Sequence, residues 1–277
     1  MPREPMHHIE LEEGLEACMD IVDGKEARPH SRPYMVVIKN KDEKHTHRFV
    51  NQAQWVLTAA HCPVNETSAR IQLGAHNKYD EEKGKQKRRV AFKISHELFT
   101  EETFNYDVQL LKLKLPANLT DTVKLLPLPD TCEEPVGGTV CEVAGWGATS
   151  NYNSKTSANL METNVTIMDR KTCQTIWGKK GQSRISRNMI CTVDSQTGTP
   201  CKGDSGGPLI CNGVLRGLIS FGSADCGMPI TFILVFAVFT FILLLVLFGC
   251  CLITRLYSHG QVQKIEDLVM ITAAEER

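Results

Sequence analysis

The chain has 277 residues, a length that fits one large domain or two small ones. Its 31 basic residues nearly balance its 32 acidic residues, so its charge gives no support for a nucleic-acid partner. Eleven cysteines exceed what a cytosolic enzyme usually carries and indicate an oxidising compartment such as the secretory pathway.

Residues 1–20 differ in composition from the rest of the chain. They contain no apolar run that could form the core of a signal peptide, and Glu10, Glu12, Glu13 and Glu16 make them acidic. We interpret residues 1–20 as a propeptide or an atypical N-terminus. Two explanations of the missing signal stay open: an incorrect start of the gene product, and targeting by another segment.

Short runs of β-forming residues, separated by turn residues, recur between Ile21 and Phe221. The clearest runs are 34–38, 55–58, 70–73, 108–113 and 215–221. Short strands at regular spacing predict an all-β fold, either a barrel or a sandwich.

The segment from Lys83 to Arg89 is strongly basic (Lys-Gly-Lys-Gln-Lys-Arg-Arg). Such a cluster is typical of a proteoglycan or other polyanion site, but it is also common in solvated loops, which we prefer on sequence alone. The histidines near the N-terminus have no spacing typical of zinc ligands, so we expect no metal site and no cofactor. These histidines are His7, His8, His45 and His47.

Ser205 lies in the glycine-rich segment Gly203-Asp-Ser-Gly-Gly207. A serine hydroxyl is a weak nucleophile until a base takes its proton, and the oxyanion that forms needs backbone N–H donors. A tight glycine turn lets Gly203 and Ser205 supply those donors. The segment therefore predicts a base and an orienting carboxylate, and His61 and Asp107 lie upstream in the order His, Asp, Ser.

Residues 230–253 form an apolar run without a charged side chain. A helix of that length spans about 36 Å, enough for the ~30 Å hydrocarbon core of a bilayer. We predict a transmembrane helix over 230–253 and a cytoplasmic tail over 254–277. Arg255 and Lys264 follow the run, which places the tail inside and the preceding domain outside the cell or in a lumen.

The serine, histidine and aspartate segments together make the chain resemble the chymotrypsin-like serine proteases, whose Ser-His-Asp triad catalyses acyl transfer. Further segments match landmarks of that family, and one looks like its granzyme branch. They are 21–24, 143–147, 220–222 and 24–35. The resemblance covers about 21–229 and implies two six-stranded antiparallel β-barrels, at about 21–119 and 136–229, joined by the Pro-rich stretch 125–130.

The resemblance also implies roles for residues around the triad. A new ammonium at Ile21 would pair with Asp204 on activation, so the uncleaved chain is expected to be a zymogen. Asp20 precedes Ile21, which argues against activation by a trypsin-like enzyme. Thr199 would form a neutral pocket floor that disfavours Lys and Arg substrates and favours apolar or aromatic ones. The other implied pocket residues are Ser220, which would also bind the aspartate, Phe221 and Gly222.

Cysteines and sequons complete the expected features. The resemblance implies the disulfides Cys141–Cys211, Cys173–Cys191 and Cys201–Cys226. It also implies that Cys62 lacks its usual partner, since Thr46 stands there. Sequons that suit a secreted glycoprotein begin at Asn65, Asn118 and Asn164.

The sequence thus favours a granzyme-like, membrane-anchored serine endopeptidase that acts on protein and peptide substrates. The family's last strand should follow Cys226, but the predicted membrane helix begins almost at once. We therefore expect the second barrel to lack its last strand and to keep an open edge. Two alternatives stay open: a catalytically impaired, membrane-tethered binding protein, and a chimeric gene product.

Overall fold

A computed structural model describes residues 21, 24–40, 45–129, 133–148, 156–178, 185–194, 198–222 and 231–235. In this part of the chain, strands dominate and one helix occurs. In chain order the elements are β1 Lys25–Glu26, β2 Met35–Lys39, β3 His45–Gln52, β4 Trp55–Thr58, β5 Arg70–Leu73, β6 Gln86–Ser95, β7 Gln109–Leu113, β8 Val140–Gly145, β9 Met161–Met168, α1 Arg170–Gly178, β10 Met189–Asp194, β11 Pro208–Cys211, β12 Val214–Gly222 and β13 Thr231–Val235.

The first barrel is closed by six antiparallel strands in the order β2-β3-β4-β7-β6-β5. Residues such as Val36, Ile38, Ile71 and Leu111 are fully buried and form one apolar cluster inside it. They are mostly β-branched or leucine, which pack well on a pleated surface. The prediction of a six-stranded barrel in this part of the chain is confirmed.

The second barrel is closed as well, by β8, β9, β10, β13, β12 and β11, and the short β1 adds to its β9. Strand β13 is a full member of this barrel, because it pairs antiparallel with β10 on one side and with β12 on the other. The prediction that this barrel lacks its last strand is wrong. The barrel also extends to Val235, beyond the predicted end at residue 229.

The predicted transmembrane helix over 230–253 is therefore wrong at its start, because residues 231–235 are a strand of the barrel. Residues 236–253 and the predicted tail lie outside the described residues. Within the described ranges, no helix is long and apolar enough to cross a bilayer.

The two barrels pack against each other through a shared apolar cluster. Phe49, Trp55 and Leu110 of the first barrel contribute to it, together with Trp177 and Leu218 of the second. The indole Nε1 of Trp146 also donates a hydrogen bond across the boundary, to the carbonyl of His76 at 2.8 Å. This interface fixes the relative position of the loops that carry His61, Asp107 and Ser205.

Candidate active site

His61 and Asp107 meet at one end of the first barrel. His61 follows β4, and Asp107 lies two residues before β7, which pairs with β4. The Nδ1 atom of His61 lies 2.6 Å from Asp107 Oδ2, and the His61 amide donates to Asp107 Oδ1 at 2.8 Å. Ser220 Oγ donates to the same Oδ2 atom. Three hydrogen bonds thus satisfy a fully buried carboxylate, which holds the imidazole in a fixed orientation.

Ser205 lies in a tight turn of the second barrel. Gly203 and Gly206 have φ angles of 101° and 81°, a region that non-glycine residues rarely adopt. The Gly206 amide donates to the carbonyl of Ile219 in β12 at 2.7 Å, and Ser205 Oγ lies 3.4 Å from the carbonyl of Ser220. The turn is therefore tied to β12, whose Ser220 also contacts Asp107. The oxyanion-hole role of Gly203 and Ser205 stays a prediction.

Cys62 lies beside the candidate catalytic residues, a contact that the sequence did not indicate. Its buried thiol sulfur lies 3.7 Å from His61 Nε2 and 3.7 Å from the carbonyl of Ser205. Burial disfavours the charged imidazole, but the hydrogen bonds of Asp107 and Cys62 outweigh it and raise the pKa of His61 to about 10. The thiol thus stabilises the protonated form of the candidate base.

Asp204 is completely buried beside the serine turn. Its carboxylate accepts hydrogen bonds from the amides of Gly147 and Cys201, both at 2.9 Å. A Cβ atom at position 147 would collide with this carboxylate, so only glycine fits there. Burial raises the pKa of Asp204 to about 6, while these hydrogen bonds and the charge of Lys78 oppose the rise. Ile21 is also buried, and its pairing with Asp204 after cleavage stays a prediction.

Lys78 is a buried cation that sequence reasoning missed. Its ammonium donates to Thr156 Oγ1 at 2.5 Å and lies 3.5 Å from the carbonyl of Trp146. That carbonyl belongs to the same peptide unit as the Gly147 amide, which binds Asp204. The peptide unit therefore joins a buried ammonium to a buried carboxylate. No sequence signal marks Lys78, since a lysine in a loop is normally exposed.

The predicted pocket residues lie around the serine turn and the end of β12. Thr199 and Ser220 are buried, Phe221 is half-buried and Gly222 is exposed. Strand β13 pairs with Phe221 and Gly222, on the side of β12 where we had expected an open edge. The role of Thr199 as the pocket floor and the preference for apolar substrates stay predictions.

An aromatic cluster next to His61 was not found from the sequence. The Phe104 ring lies 5.5 Å from the His61 ring and 5.2 Å from the Phe221 ring, and Trp177 lies 6.1 Å from Phe221. Phe104 and Tyr106 both have positive φ angles, a strained conformation that often occurs at functional sites. These aromatic side chains come from distant parts of the chain, so only the fold brings them together.

The predicted disulfides Cys141–Cys211 and Cys173–Cys191 are present. Cys201 is disulfide-bonded as well, while its predicted partner Cys226 lies outside the described residues. The predicted glycosylation sites are exposed, and their modification stays a prediction. They are Asn65, Asn118 and Asn164.

Comparison with known proteins agrees with this architecture. The chain is 39% identical to granzyme A of Bos taurus over 214 residues, which cover 77% of this chain and 81% of that protein. It is 35% identical to the chymase of Cavia porcellus, over 77% of this chain and 85% of the relative. The solved structure of neuropsin, a serine protease expressed in the limbic system of mouse brain, superposes with a TM-score of 0.72 at 30% identity. That match covers 79% of this chain and 96% of neuropsin. The sequence model of the family named Trypsin matches residues 21–242, and the chain therefore belongs to the trypsin family of chymotrypsin-like serine proteases.

Proposed function

We propose that the chain is a serine endopeptidase that hydrolyses peptide bonds through an acyl-enzyme formed on Ser205. The observation that carries the proposal is the hydrogen-bonded series Ser220–Asp107–His61 beside the serine turn. In the proposed reaction, His61 takes the proton from Ser205 Oγ as this oxygen attacks the substrate carbonyl. His61 then gives the proton to the leaving amine, and water releases the acyl group by the same steps. Asp107 stabilises the imidazolium that forms in each step.

Activation in this proposal requires cleavage after Asp20. The new ammonium of Ile21 would pair with Asp204 and set the turn that presents the oxyanion donors. In the uncleaved chain the Ile21 nitrogen is an uncharged amide, so the precursor should be much less active. The disulfide-bonded cysteines support a route through the secretory pathway, because such bonds persist in oxidising compartments.

Specificity for apolar or aromatic residues is part of the proposal. It is supported by the neutral Thr199 and by the aromatic rings of Phe104, Phe221 and Trp177 near His61. An aromatic substrate side chain can pack against such rings without leaving a charge unpaired. A library of peptides varied at the residue before the cleaved bond tests this preference. Faster cleavage after lysine or arginine would contradict it.

A fluorophosphonate probe tests the central claim. Protein cleaved to begin at Ile21 should be labelled on Ser205, and Ser205→Ala should lose both labelling and turnover. Ser68→Ala removes a hydroxyl away from the proposed site and serves as the matched control. A folded, cleaved protein that takes up no probe would overturn the proposal and favour an inactive protein that binds partners through the same cleft.

A further inference from the structure

A row of four basic residues crosses the outer surface of the first barrel. Lys39 of β2 is in register with Arg70 of β5, and Arg70 is in register with Arg89 of β6. The amide of Lys114, just past β7, donates to the carbonyl of Arg89 at 2.9 Å and extends the row to a fourth strand. Neighbouring strands lie about 4.8 Å apart, so the four positions span about 14 Å. We call these four residues the basic row.

Two adjoining grooves, with volumes of about 510 and 410 Å³, follow the basic row and share Arg70 and Lys87. Among the residues that the structure describes, six of those lining the grooves are basic and none is acidic. The lining residues that carry charge are Lys39, Arg70, Lys87, Arg88, Arg89 and Lys114. The grooves are therefore a concentrated positive surface on a molecule whose total charge is near neutral.

Two of the arginines on this surface, Arg70 and Arg88, donate hydrogen bonds to neutral oxygen atoms. Arg70 Nη1 donates to the backbone carbonyls of Ser68 and Ala69, at 2.8 and 3.2 Å. Arg88 Nε donates to the carbonyl of Pro116 at 2.9 Å. These bonds orient the guanidinium groups without neutralising their charge. An arriving anion therefore meets charges that are already held in position.

The strand register places like charges directly opposite each other. Lys39 faces Arg70, and Arg70 faces Arg89. Like charges at opposed positions destabilise a sheet, so the surface carries a repulsion that a bound polyanion would remove. This register is a property of the fold, and the linear sequence does not display it.

The basic side chains of the segment from Lys83 to Arg89 have different environments in the structure. The ammonium of Lys85 turns inward and donates to the carbonyls of Asn77 and Asp80, at 2.9 and 2.5 Å. Lys87 pairs with Glu81, but both side chains are more than half exposed, and such pairs contribute little. The positive surface is thus formed by residues of β2, β5, β6 and the end of β7. The segment from Lys83 to Arg89 contributes only part of it.

We propose that the basic row, with Lys87 and Arg88, binds a linear sulfated polysaccharide. Such a chain carries anionic groups along its length, and a guanidinium group can bind each of them through two parallel hydrogen bonds. An acidic peptide would need an apolar anchor to bind specifically. Of the described residues that line the grooves, Leu115 alone has an apolar side chain. The disulfides place the protein in compartments where sulfated polysaccharides occur, which disfavours a nucleic acid.

Binding of a heparin decasaccharide to the full chain at about 0.15 M salt tests the proposal. Arg70→Gln/Arg89→Gln should weaken binding at least tenfold. It should also reduce the slope of log affinity against log salt by roughly one to two, since two fewer counterion-releasing contacts remain. The double variant Lys25→Gln/Lys171→Gln removes the same net charge at the second barrel. It should bind the decasaccharide like the unmodified chain.

Stability supplies a second measurement that does not depend on peptidase activity. Without ligand, Arg70→Gln/Arg89→Gln should unfold near the temperature of the unmodified chain, because the lost repulsion and the lost hydrogen bonds of Arg70 act in opposite directions. The decasaccharide should raise the unfolding temperature of the unmodified chain and not that of this variant. Equal weakening of binding in both double variants would overturn the proposal. So would tighter binding of an acidic peptide or a single-stranded oligonucleotide than of the decasaccharide.

Discussion

Replacement of Ile233 by proline tests the finding that an apolar, membrane-like segment is a strand. Ile233 lies at the centre of β13 and is in register with Ile190 of β10 and Ile219 of β12. Proline has no N–H group and is found in sheets almost only at edges and bulges. Because β13 pairs on both sides, proline at position 233 should remove a backbone hydrogen bond from one of its two ladders.

The expected cost follows from that ladder. The lost hydrogen bond costs about 1 kcal/mol, and the partner carbonyl that it leaves unsatisfied adds about 1–3 kcal/mol. The sum of about 2–4 kcal/mol is a large share of a typical unfolding free energy of about 5–15 kcal/mol. With a denaturant dependence of about 2 kcal/mol per molar urea, the unfolding midpoint should fall by about 1–2 M.

Urea unfolding, followed by tryptophan fluorescence, measures this shift. Ile233→Val is the matched control, because valine suits a strand and such a substitution typically costs about 0.5–1.5 kcal/mol. An unchanged midpoint for Ile233→Pro would refute the strand assignment. Protection of residues 230–253 from protease by added vesicles would then support the membrane helix that the sequence alone predicted.

Three further substitutions test the site. Cys62→Ala should lower the pKa of His61, because the thiol favours the protonated ring. The acidic limb of the kcat/KM profile then moves to lower pH. At a pH below the pKa of His61, each unit by which this pKa falls should raise kcat/KM about tenfold. Lys78→Met should raise the pKa of Asp204 above about 6, since the lysine charge lowers it, so activity should fall more at pH 6 than at pH 8. Phe104→Ala should reduce kcat/KM about tenfold for peptides with apolar residues near the cleaved bond, which corresponds to about 1.4 kcal/mol of lost packing. Unchanged kcat/KM values across the peptides would show that this ring does not contact substrate.

The protonation of Asp204 also has a consequence for stability. Its folded pKa lies above the ordinary value, so the folded state binds the proton more tightly than the unfolded state. Its contribution to stability is therefore greatest below about pH 4 and is lost as the pH rises through about 6. Activity, which in our proposal needs the carboxylate paired with Ile21, should change in the opposite direction over this range.

Much of the fold and the core of the site could be predicted because local residue patterns specify them. The segments around His61, Asp107 and Ser205 are each recognisable on their own, and their order limits the fold to one arrangement. The contacts of Cys62 and Lys78 could not be predicted in this way. They depend on how loops from separate barrels approach each other, and a buried lysine looks like any other lysine in a sequence.

The error at residues 230–253 has a definite physical cause. Residues 232–235 are a continuous apolar run, without the alternation of apolar and polar residues that identifies a half-exposed strand. The length of the run then decides how it is interpreted. An apolar run of this length favours a membrane helix over a short strand followed by another segment. Only the pairing of β13 with β10 and β12 separates the two, and that pairing connects residues far apart in the chain.

The placement of β13 connects the apolar run to the candidate catalytic residues. Strand β12 carries Ser220, whose hydroxyl binds Asp107, and the neighbouring Phe221, which packs against Phe104. Were β13 missing, β12 would be an open edge, and edge strands are free to fray and to pair with other chains. A frayed β12 would release the hydrogen bond to Asp107 and with it one of the three contacts of the buried carboxylate. Disruption of β13 at Ile233 should therefore lower stability, and it should also lower the turnover of those molecules that remain folded. The reason is that β13 supports Ser220, which helps to hold Asp107 against the candidate base.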